Sequence, residues 1–316
     1  MSNDEDRNYK RLYLNVFHKE QFLYLIMPAY SRVDPDAYRL RLSATGQPLK
    51  RKRIIRRHAH EAVQVAIFEF NPERDENQVC IDYEGFRTEL TLSRERQFSS
   101  RQNLALTTLF KQDAALIDPF YEYYVQQGVE QFFLYYNGRL SDEIRSLFDR
   151  PGILLLEWDY RYWNDEECSW PHHAQPAQMN DALYRFGKGN YQYMAFCDFD
   201  EYLHIPGTTL GQFVAGHHYD KLGFCCCWAS SPWAKSLAEL PDQVGLGDPA
   251  KYAWRSKCIL NTDSVELVGV HDSPVVNAEP KTRKDLRMLH FADWNQAKRQ
   301  RETPHVHVWK SGSTIL

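Results

Sequence analysis

Three carboxylates lie within four residues at the end of an apolar stretch. Asp198, Asp200 and Glu201 follow the aromatic run Tyr191 to Phe196, which predicts a buried strand. Because Asp198 and Asp200 are two residues apart, they point to one side of a strand. Converging carboxylate oxygens suit Mg²⁺ or Mn²⁺, which keep positions open for substrate phosphates. The pattern predicts a cation that holds a diphosphate; the alternative is that Asp198 caps the next turn and the other carboxylates are solvated.

Composition and charge narrow the classes of partner. The chain has 316 residues and is 43% hydrophobic, enough for one large domain or two smaller ones. Its formal net charge of −4 gives no general attraction to nucleic acid or to an anionic membrane. The local exception is Lys50 to Arg57, where six of eight residues are Lys or Arg. We interpret this run as a solvated hairpin, with a membrane-surface or nucleic-acid patch as the alternative.

The cysteines and the N-terminal residues indicate the cellular compartment in which the protein is expected. The seven cysteines include no Cys-x-x-Cys pair, which argues against a structural zinc site, and free thiols fit a reducing compartment. Met1 to Lys10 has no apolar signal core, and no stretch approaches ~18 apolar residues. We therefore expect a cytoplasmic protein without a transmembrane segment. Peripheral association with the inner face of the membrane is the alternative.

The spacing of apolar and turn residues divides the chain into three parts. Residues 1–9 are polar and predict a disordered N-terminus. Residues 10–97 carry short stretches of alternating apolar and polar residues, such as Val63 to Phe70, separated by turn residues. This pattern predicts a small antiparallel β domain that serves as a scaffold. Residues 98–316 form the third part and contain the acidic motif.

Strand and helix patterns alternate in residues 98–316. A helical stretch, Ala114 to Gln127, precedes a strand at Phe132 to Tyr136, and a second one, Gln175 to Phe186, precedes the strand at Tyr191 to Phe196. This order predicts an α/β domain with a mostly parallel sheet and right-handed crossovers. Ligands of such sheets bind beyond the carboxyl ends of the strands, where the acidic motif is expected.

Several segments of this part resemble glycosyltransferase family 92. They are Gly-Val-x-x-Phe-Phe-Leu-Tyr-Tyr-Asn ending at Asn137, a helix with Gln175 and Asp181, and the acidic segment Phe196 to Leu203. Downstream, Lys257-Cys-Ile259, Gly269-Val-His271 and Leu289-His-Phe291 also follow the family's order. The resemblance spans roughly residues 104–295. Its weight comes from the order of the motifs, since none of them is very specific alone.

The resemblance implies a GT-A fold, a Rossmann-like α/β domain that binds a nucleotide-diphospho-sugar. It implies transfer of a sugar, with inversion, from a nucleotide sugar to a glycan, glycolipid or glycoprotein acceptor in cell-surface glycan synthesis. The expected donor is a UDP-sugar and the expected cofactor is Mn²⁺ or Mg²⁺. Nucleic acid is not an expected partner.

The resemblance also implies the metal ligands. Asp198 and Asp200 would bind the cation that bridges the donor diphosphate, and a C-terminal histidine would complete the site. His271, after a predicted strand over Val265 to Val270, is the first choice, and His290 is the second.

Further residues are expected around the donor. The resemblance implies that Tyr136 and Asn137 lie at the first crossover, near the nucleoside. It places three residues of the helix before the acidic motif on the donor: Gln175, Asp181 and Arg185. Lys257 is a candidate for charge-assisted hydrogen bonds to phosphate.

The catalytic base and two competing classes stay open. Inversion needs a base near the acceptor hydroxyl, and the candidates are Glu201, Asp263 and Asp272. A metal-dependent phosphohydrolase or nucleotidyltransferase also uses Asp-x-Asp at a strand end. A non-catalytic carbohydrate-binding relative is the other alternative, because Tyr136 stands where the family commonly has Asp or Asn.

Overall fold

The computed structural model describes residues 15–28, 39–56, 63–73, 75, 77–83, 86–95, 98–160, 162, 174–230, 245–246, 256–271 and 281–291. The predicted disordered segment 1–9 lies outside the described residues. The first eight strands are β1 (Asn15–Lys19), β2 (Phe22–Pro28), β3 (Arg39–Leu42), β4 (Arg51–Arg56), β5 (Val63–Glu69), β6 (Gln78–Tyr83), β7 (Phe86–Thr91) and β8 (Ser93–Arg94). After them come β9 (Gln102–Phe110), α1 (Ile117–Gln126), β10 (Gln131–Tyr136), α2 (Asp142–Leu147), β11 (Ile153–Glu157), α3 (Ala174–Ala182), β12 (Tyr191–Phe196), β13 (Glu201–His204), α4 (Leu210–Gly216), β14 (Lys221–Ser230), β15 (Gly245–Leu246), β16 (Lys257–Asn261) and β17 (Lys281–His290).

The chain divides into two compact units. The first unit takes in residues 1–101, 158–190 and 266–274, and the second takes in residues 102–157, 191–265 and 275–316. The first unit therefore holds β1 to β8 and α3, and the second holds the remaining strands and helices. Among the described residues, no helix has the length and apolar character that a membrane span requires.

Two small sheets build the first unit. One has the strand order β4-β5-β2-β1-β8 and the other the order β3-β6-β7. The pairings are antiparallel apart from the short parallel contact between β1 and β8. Alternating residues such as Leu40 and Leu42 of β3 are buried with Leu23, Val79 and Ile81 in one core. The predicted small antiparallel β domain is confirmed.

A buried asparagine of α3 holds the segment that precedes His271. The side chain of Asn180 donates to the carbonyl of Val268 at 2.7 Å and accepts from its N–H at 2.9 Å. The predicted strand over Val265 to Val270 is wrong, since this segment contains only an isolated bridge residue. The N–H and carbonyl of Val268 bond to the side chain of Asn180 instead of to a neighbouring strand, so both backbone groups have a hydrogen-bond partner.

A large mixed sheet builds the second unit. Its order is β11-β10-β9-β12-β16-β14-β17-β13, with β15 paired to β14. The four strands β11, β10, β9 and β12 are parallel, as predicted, whereas β16 runs antiparallel to β12. Phe110 pairs with Tyr136, and Thr107 pairs with Phe196, so β9, β10 and β12 end at one edge. The predicted α/β fold is confirmed, and its parallel part carries the acidic motif.

Two glycines let α1 and α4 approach closely. Gly128, just beyond α1, has a φ of 84°, a value that L side chains rarely adopt. Gly211 donates its N–H to the carbonyl of Gln127 at 2.8 Å. A Cβ on Gly211 would lie 3.1 Å from the carbonyl oxygen of Gly128. At the start of α4, Thr209 and Gln212 form a capping box that fixes the direction of the helix.

Candidate functional site

The acidic motif lies at the edge where the parallel strands end. Asp198 follows β12 by two residues, and Asn137 directly follows β10 and donates its N–H to the carbonyl of Phe110 at 2.8 Å. Phe199, between the two aspartates, is fully buried, with ring centroids 4.8 Å from Phe110 and 4.6 Å from Phe120. Because Phe199 anchors the turn in the core, the two aspartates occupy fixed positions on either side of it.

A reciprocal pair of hydrogen bonds closes the turn of the motif. The N–H of Asp198 donates to Oε2 of Glu201 at 2.7 Å, and the N–H of Glu201 donates to the carbonyl of Asp198 at 3.0 Å. Nζ of Lys257 lies 3.0 Å from Oδ2 of Asp198 and 3.3 Å from Oε2 of Glu201. One ammonium therefore bridges two carboxylates of the motif. We call Asp198, Glu201 and Lys257 the brace.

The brace is buried, so its charges interact strongly. The side chains of Lys257 and Glu201 are 1% and 3% exposed, whereas that of Asp198 is 31% exposed. Burial alone lowers the pKa of Lys257, but the carboxylates of Asp198 and Glu201 outweigh it and raise that pKa above its usual range. Burial raises the pKa of Glu201 to about 7, although Lys257 opposes the shift. Each buried charge of the brace is stabilised by an opposite charge beside it, because a buried charge without such a partner costs free energy.

A second pair, Asp200 and His290, lies beside the brace. Oδ2 of Asp200 is 3.4 Å from Nε2 of His290, and the carbonyl of Asp200 accepts from the N–H of Phe291 at 2.8 Å. The strand pairing explains the proximity, because Glu201 of β13 lies opposite His290 of β17. Burial lowers the pKa of His290, but the carboxylate of Asp200 and hydrogen bonds to Asp200 and Cys226 raise it to about 10.

The Asp200–His290 pair fits two neighbouring ligands of a divalent cation. Adjacent ligands of an octahedral ion with bonds near 2.1 Å lie about 3 Å apart, which is close to the observed 3.4 Å. The carboxylate oxygen suits Mn²⁺ or Mg²⁺, and the imidazole can bind a cation only after it releases the proton that Asp200 stabilises on it. Within the part of the chain that the structure describes, no three or more His, Cys, Asp or Glu side chains form a group that could hold a metal ion, so the protein would supply only these two ligands. The remaining positions would fall to water and substrate, as is usual for Mg²⁺ sites that hold phosphates.

Tyr124 of α1 holds the strand that follows the motif, a role that the sequence analysis missed. Its hydroxyl donates to the carbonyl of Glu201 at 2.9 Å and accepts from the N–H of Leu203 at 3.0 Å. The thiol of Cys197 lies 3.4 Å from the same oxygen. Tyr124 is fully buried, and its hydroxyl is satisfied only by this arrangement. The adjacent Tyr123 and Tyr124 in the predicted helix Ala114 to Gln127 were the available signal.

The other sequence-predicted residues of the second unit fall at both ends of the sheet. Tyr136 ends β10 at the edge of the acidic motif, and its ring centroid is 5.4 Å from that of Phe110. Asp263 is exposed in the turn after β16. Because Asn261 of β16 pairs with Tyr193 near the start of β12, Asp263 lies at the opposite end of the sheet. The structure thus brings Tyr136 and Asn137 to the edge of the aspartates but not Asp263.

Five predicted residues belong to the first unit. Asp181 is fully buried and accepts from the side chain of Asn15, while Arg185 donates to Glu95 at 2.5 Å. Gln175 accepts from the hydroxyl of Tyr162 at 3.2 Å. These three side chains are engaged with neighbours of their own unit. His271 ends the described part of segment 266–274, and Asp272 lies outside the described residues.

Comparison with known proteins identifies the family. The profile of Glycosyltransferase family 92 matches residues 106–303, more than half of the chain. The chain belongs to glycosyltransferase family 92. The matched region contains both aspartates of the motif, the brace and His290, so the site described above lies within the family's own domain. Membership of family 92 makes the chain a glycosyltransferase and favours this class over the phosphohydrolase alternative.

A solved structure and the curated proteins add little to the family assignment. The chain is similar to the WbbM bifunctional glycosyltransferase in its apo structure, with 11% identity and a TM-score of 0.30. That likeness covers 56% of this chain and 35% of the other, so the chain spans about a third of that protein's length. No curated protein matches the chain.

Proposed function

We propose that this family 92 member transfers a sugar from a nucleotide sugar, with a UDP-sugar as the donor, to a glycan, glycolipid or glycoprotein acceptor. The proposal includes inversion at the anomeric carbon and dependence on Mn²⁺ or Mg²⁺. We further propose that the reaction serves cell-surface glycan synthesis from the cytoplasmic side of the membrane.

The observation that carries the proposal is the Asp200–His290 pair at the end of the parallel strands. The carboxylate of Asp200 and the imidazole of His290, 3.4 Å apart, lie at the edge where sheets of this type bind ligands, which supports their proposed role as cation ligands. Asp200 is 1% exposed and His290 is 17% exposed at its side chain, so the pair is sheltered yet reachable from one side. A sheltered site strengthens the attraction between a cation and a diphosphate because less water screens it.

In this proposal the chain's residues prepare the site for the leaving group. A cation held by Asp200 and His290 supplies Lewis-acid stabilisation of the diphosphate. The brace fixes Asp198 through Lys257 and Glu201, and Phe199 fixes the turn from below, so the carboxylates need little reorganisation when substrate binds. Tyr136 and Asn137, at the same edge of the sheet, would contact the nucleoside.

We propose Asp272, one of the three candidates, as the base that deprotonates the acceptor. The carboxylate of Glu201 already accepts from Asp198 and pairs with Lys257, so we propose that Glu201 positions the motif. Asp263 lies at the opposite end of the sheet from the motif. Asp272 is the remaining candidate, and its role stays a prediction from the sequence.

Release of nucleoside diphosphate from a panel of nucleotide sugars, with and without Mn²⁺, tests the proposal. We expect one nucleotide, uridine in the proposal, to support turnover that needs the cation. Asp200→Asn should lower kcat about a hundredfold or more, because it removes a charge from the site of the leaving group. Asp263→Asn is the matched control and should keep full activity. Turnover that is independent of Mn²⁺ and unchanged in Asp200→Asn would contradict the proposal.

A further inference from the structure

Two adjoining cavities of the first unit form one groove. Their volumes are about 730 Å³ and about 490 Å³, and both are lined by Gln21, Asn71 and Pro72. Each volume lies within the range of roughly 300 to 1,000 Å³ that small-molecule sites occupy. Because the two cavities share these residues, they suit an elongated ligand with several units. We call the pair the groove.

A strained glutamate stands in the lining of the larger cavity. Glu20 lies in the two-residue turn between β1 and β2, and its φ is 53°. Among the described residues, it is the only non-glycine residue with a positive φ. Glycine is favoured at such a hairpin position, and backbone strain of this kind tends to cluster at functional sites. The carboxylate of Glu20 interacts electrostatically with the neighbouring Lys19 of the same lining.

Two neighbouring residues of β1 in the same lining are poorly matched to their surroundings. His18 is 2% exposed, and its Nδ1 atom is buried with no hydrogen-bond partner within the described residues. Lys19 is 6% exposed and donates to the carbonyl of Lys188. Burial lowers the pKa of Lys19 to about 8. An unsatisfied buried donor or acceptor and a perturbed lysine in one cavity mark a site that is built for a ligand rather than for stability.

The chemistry of the lining favours an uncharged polar ligand. The larger cavity has three carboxylates, Glu20, Glu73 and Glu95, against two cations, Lys19 and Arg94, so it offers no excess of positive charge to an anion. Carboxylates accept hydrogen bonds in pairs, and guanidinium and amide groups donate them in pairs. Such alternating groups match the neighbouring hydroxyls of a sugar ring, each of which both donates and accepts. In the smaller cavity, the ammonium of Lys52 lies over the ring of Phe22, 4.2 Å from its centroid, and Phe70 is 3% exposed, so the polar side chains of this lining are the groups that a ligand would meet.

We propose that the groove binds a neutral oligosaccharide, the chemical class to which a glycan acceptor belongs. The inference rests on the proposed function in so far as it names the acceptor, and it assigns a binding role to the β domain that the sequence predicts as a scaffold. Glu20 and Arg94 contribute the principal hydrogen bonds, and the shared residues Gln21 and Asn71 contact the ligand where the two cavities meet.

Microscale thermophoresis of the full chain with defined saccharides tests the inference. The probes are neutral tetrasaccharides of glucose, galactose, mannose and N-acetylglucosamine, with a hyaluronan tetrasaccharide and inorganic phosphate as charged comparators. We expect at least one neutral tetrasaccharide to bind and Glu20→Gly to weaken its binding about tenfold. Glu20→Gly also relieves the positive φ, so this variant should fold at least as well as the parent chain. Arg94→Gln should weaken binding in the same way, and the exposed Glu122→Ala should leave it unchanged.

Three outcomes would overturn the inference. They are no binding of any neutral tetrasaccharide at millimolar concentration, binding that survives both Glu20→Gly and Arg94→Gln, and binding of the charged comparators alone. The inference and the proposed function fail separately. Asp200→Asn should lower kcat about a hundredfold or more yet bind the saccharide as the parent chain does. Turnover without saccharide binding would contradict only the saccharide-binding role of the groove. Saccharide binding without nucleotide-sugar turnover would contradict only the proposed function.

Discussion

Lys257→Met should destabilise the chain far more than the same change at Lys50, an exposed lysine whose ion pair has the same N–O distance. Nζ of Lys257 lies 3.0 Å from Asp198, and Nζ of Lys50 also lies 3.0 Å from its partner, Glu69. The side chain of Lys257 is 1% exposed and that of Lys50 is 77% exposed. The N–O distance is therefore the same in the two pairs, whereas Lys257 is buried and also pairs with a second carboxylate, that of Glu201.

The expected loss of stability depends on the carboxylate that each variant leaves without its cation. Lys257→Met leaves Glu201 buried without its cation, and removal of one partner from a buried ion pair costs about 3 to 5 kcal/mol. At about 2.1 cal/mol/K of unfolding entropy per residue over 316 residues, that corresponds to a fall in the unfolding midpoint of roughly 4 to 8 °C. Lys50→Met removes an exposed pair, worth about 0 to 1 kcal/mol. Changing Glu201 to Gln in the Lys257→Met background should recover part of the loss, because it removes the uncompensated charge.

Thermal unfolding followed by circular dichroism at several pH values is the assay. The pKa of Glu201 in the folded chain, about 7, is above its ordinary value of 4.5, so the folded chain binds more protons between these pH values. Stability contributed by Glu201 therefore falls as pH rises through that window, and Lys257→Met should steepen the fall. Equal midpoints for Lys257→Met and Lys50→Met, at any pH, would refute the account of the brace.

Three further predictions concern Tyr124, Lys19 and the two glycines. Tyr124→Phe removes the hydroxyl that joins Glu201 and Leu203, so urea unfolding should show a loss of about 1 to 3 kcal/mol, and a loss below the error of the measurement would contradict its role. The pKa of Lys19 is about 8 in the folded chain and 10.5 ordinarily, so between these pH values the unfolded chain binds more protons. Stability should therefore rise by about 3 kcal/mol as pH increases across that window, and Lys19→Met should abolish the rise. Gly211→Ala should lower the free energy of unfolding by about 1 to 3 kcal/mol, because its Cβ would meet the backbone of Gly128. Gly216→Ala is the control and should be neutral or stabilising, since a Cβ there has nothing within 4 Å. Similar unfolding midpoints for the two variants would contradict the close approach of α1 and α4.

The parallel half of the second unit was predictable because its signals are local. Apolar runs such as Phe132 to Tyr136 gave the strands, and the acidic motif gave the edge at which they end. Family resemblance gave the same segment an expected chemistry. Period-two alternation in residues 10–97 gave the antiparallel character of the first unit but not its strand order, which depends on pairings between distant strands.

The brace and the partner of Asp200 were not predictable because they depend on pairing between distant strands. Lys257 was expected on phosphate, yet strand pairing brings it between Asp198 and Glu201. His271 was the first choice because it stands in the Gly269-Val-His271 motif of the family resemblance, and its role stays a prediction, whereas strand pairing places His290 beside Asp200. The register of β13 against β17, which places His290 beside Asp200, has no signal in the sequence of either strand alone.

Titration calorimetry of Mn²⁺ in the presence of UDP tests the central claim most directly. The account predicts one cation site that needs both Asp200 and His290, so Asp200→Asn and His290→Ala should each abolish it, while Asp263→Asn binds as the parent chain does. All three variants should first be shown to unfold cooperatively, so that a loss of binding is not a loss of fold. Undiminished Mn²⁺ binding in both Asp200→Asn and His290→Ala would contradict the assignment of this pair as the cation site of the transferase.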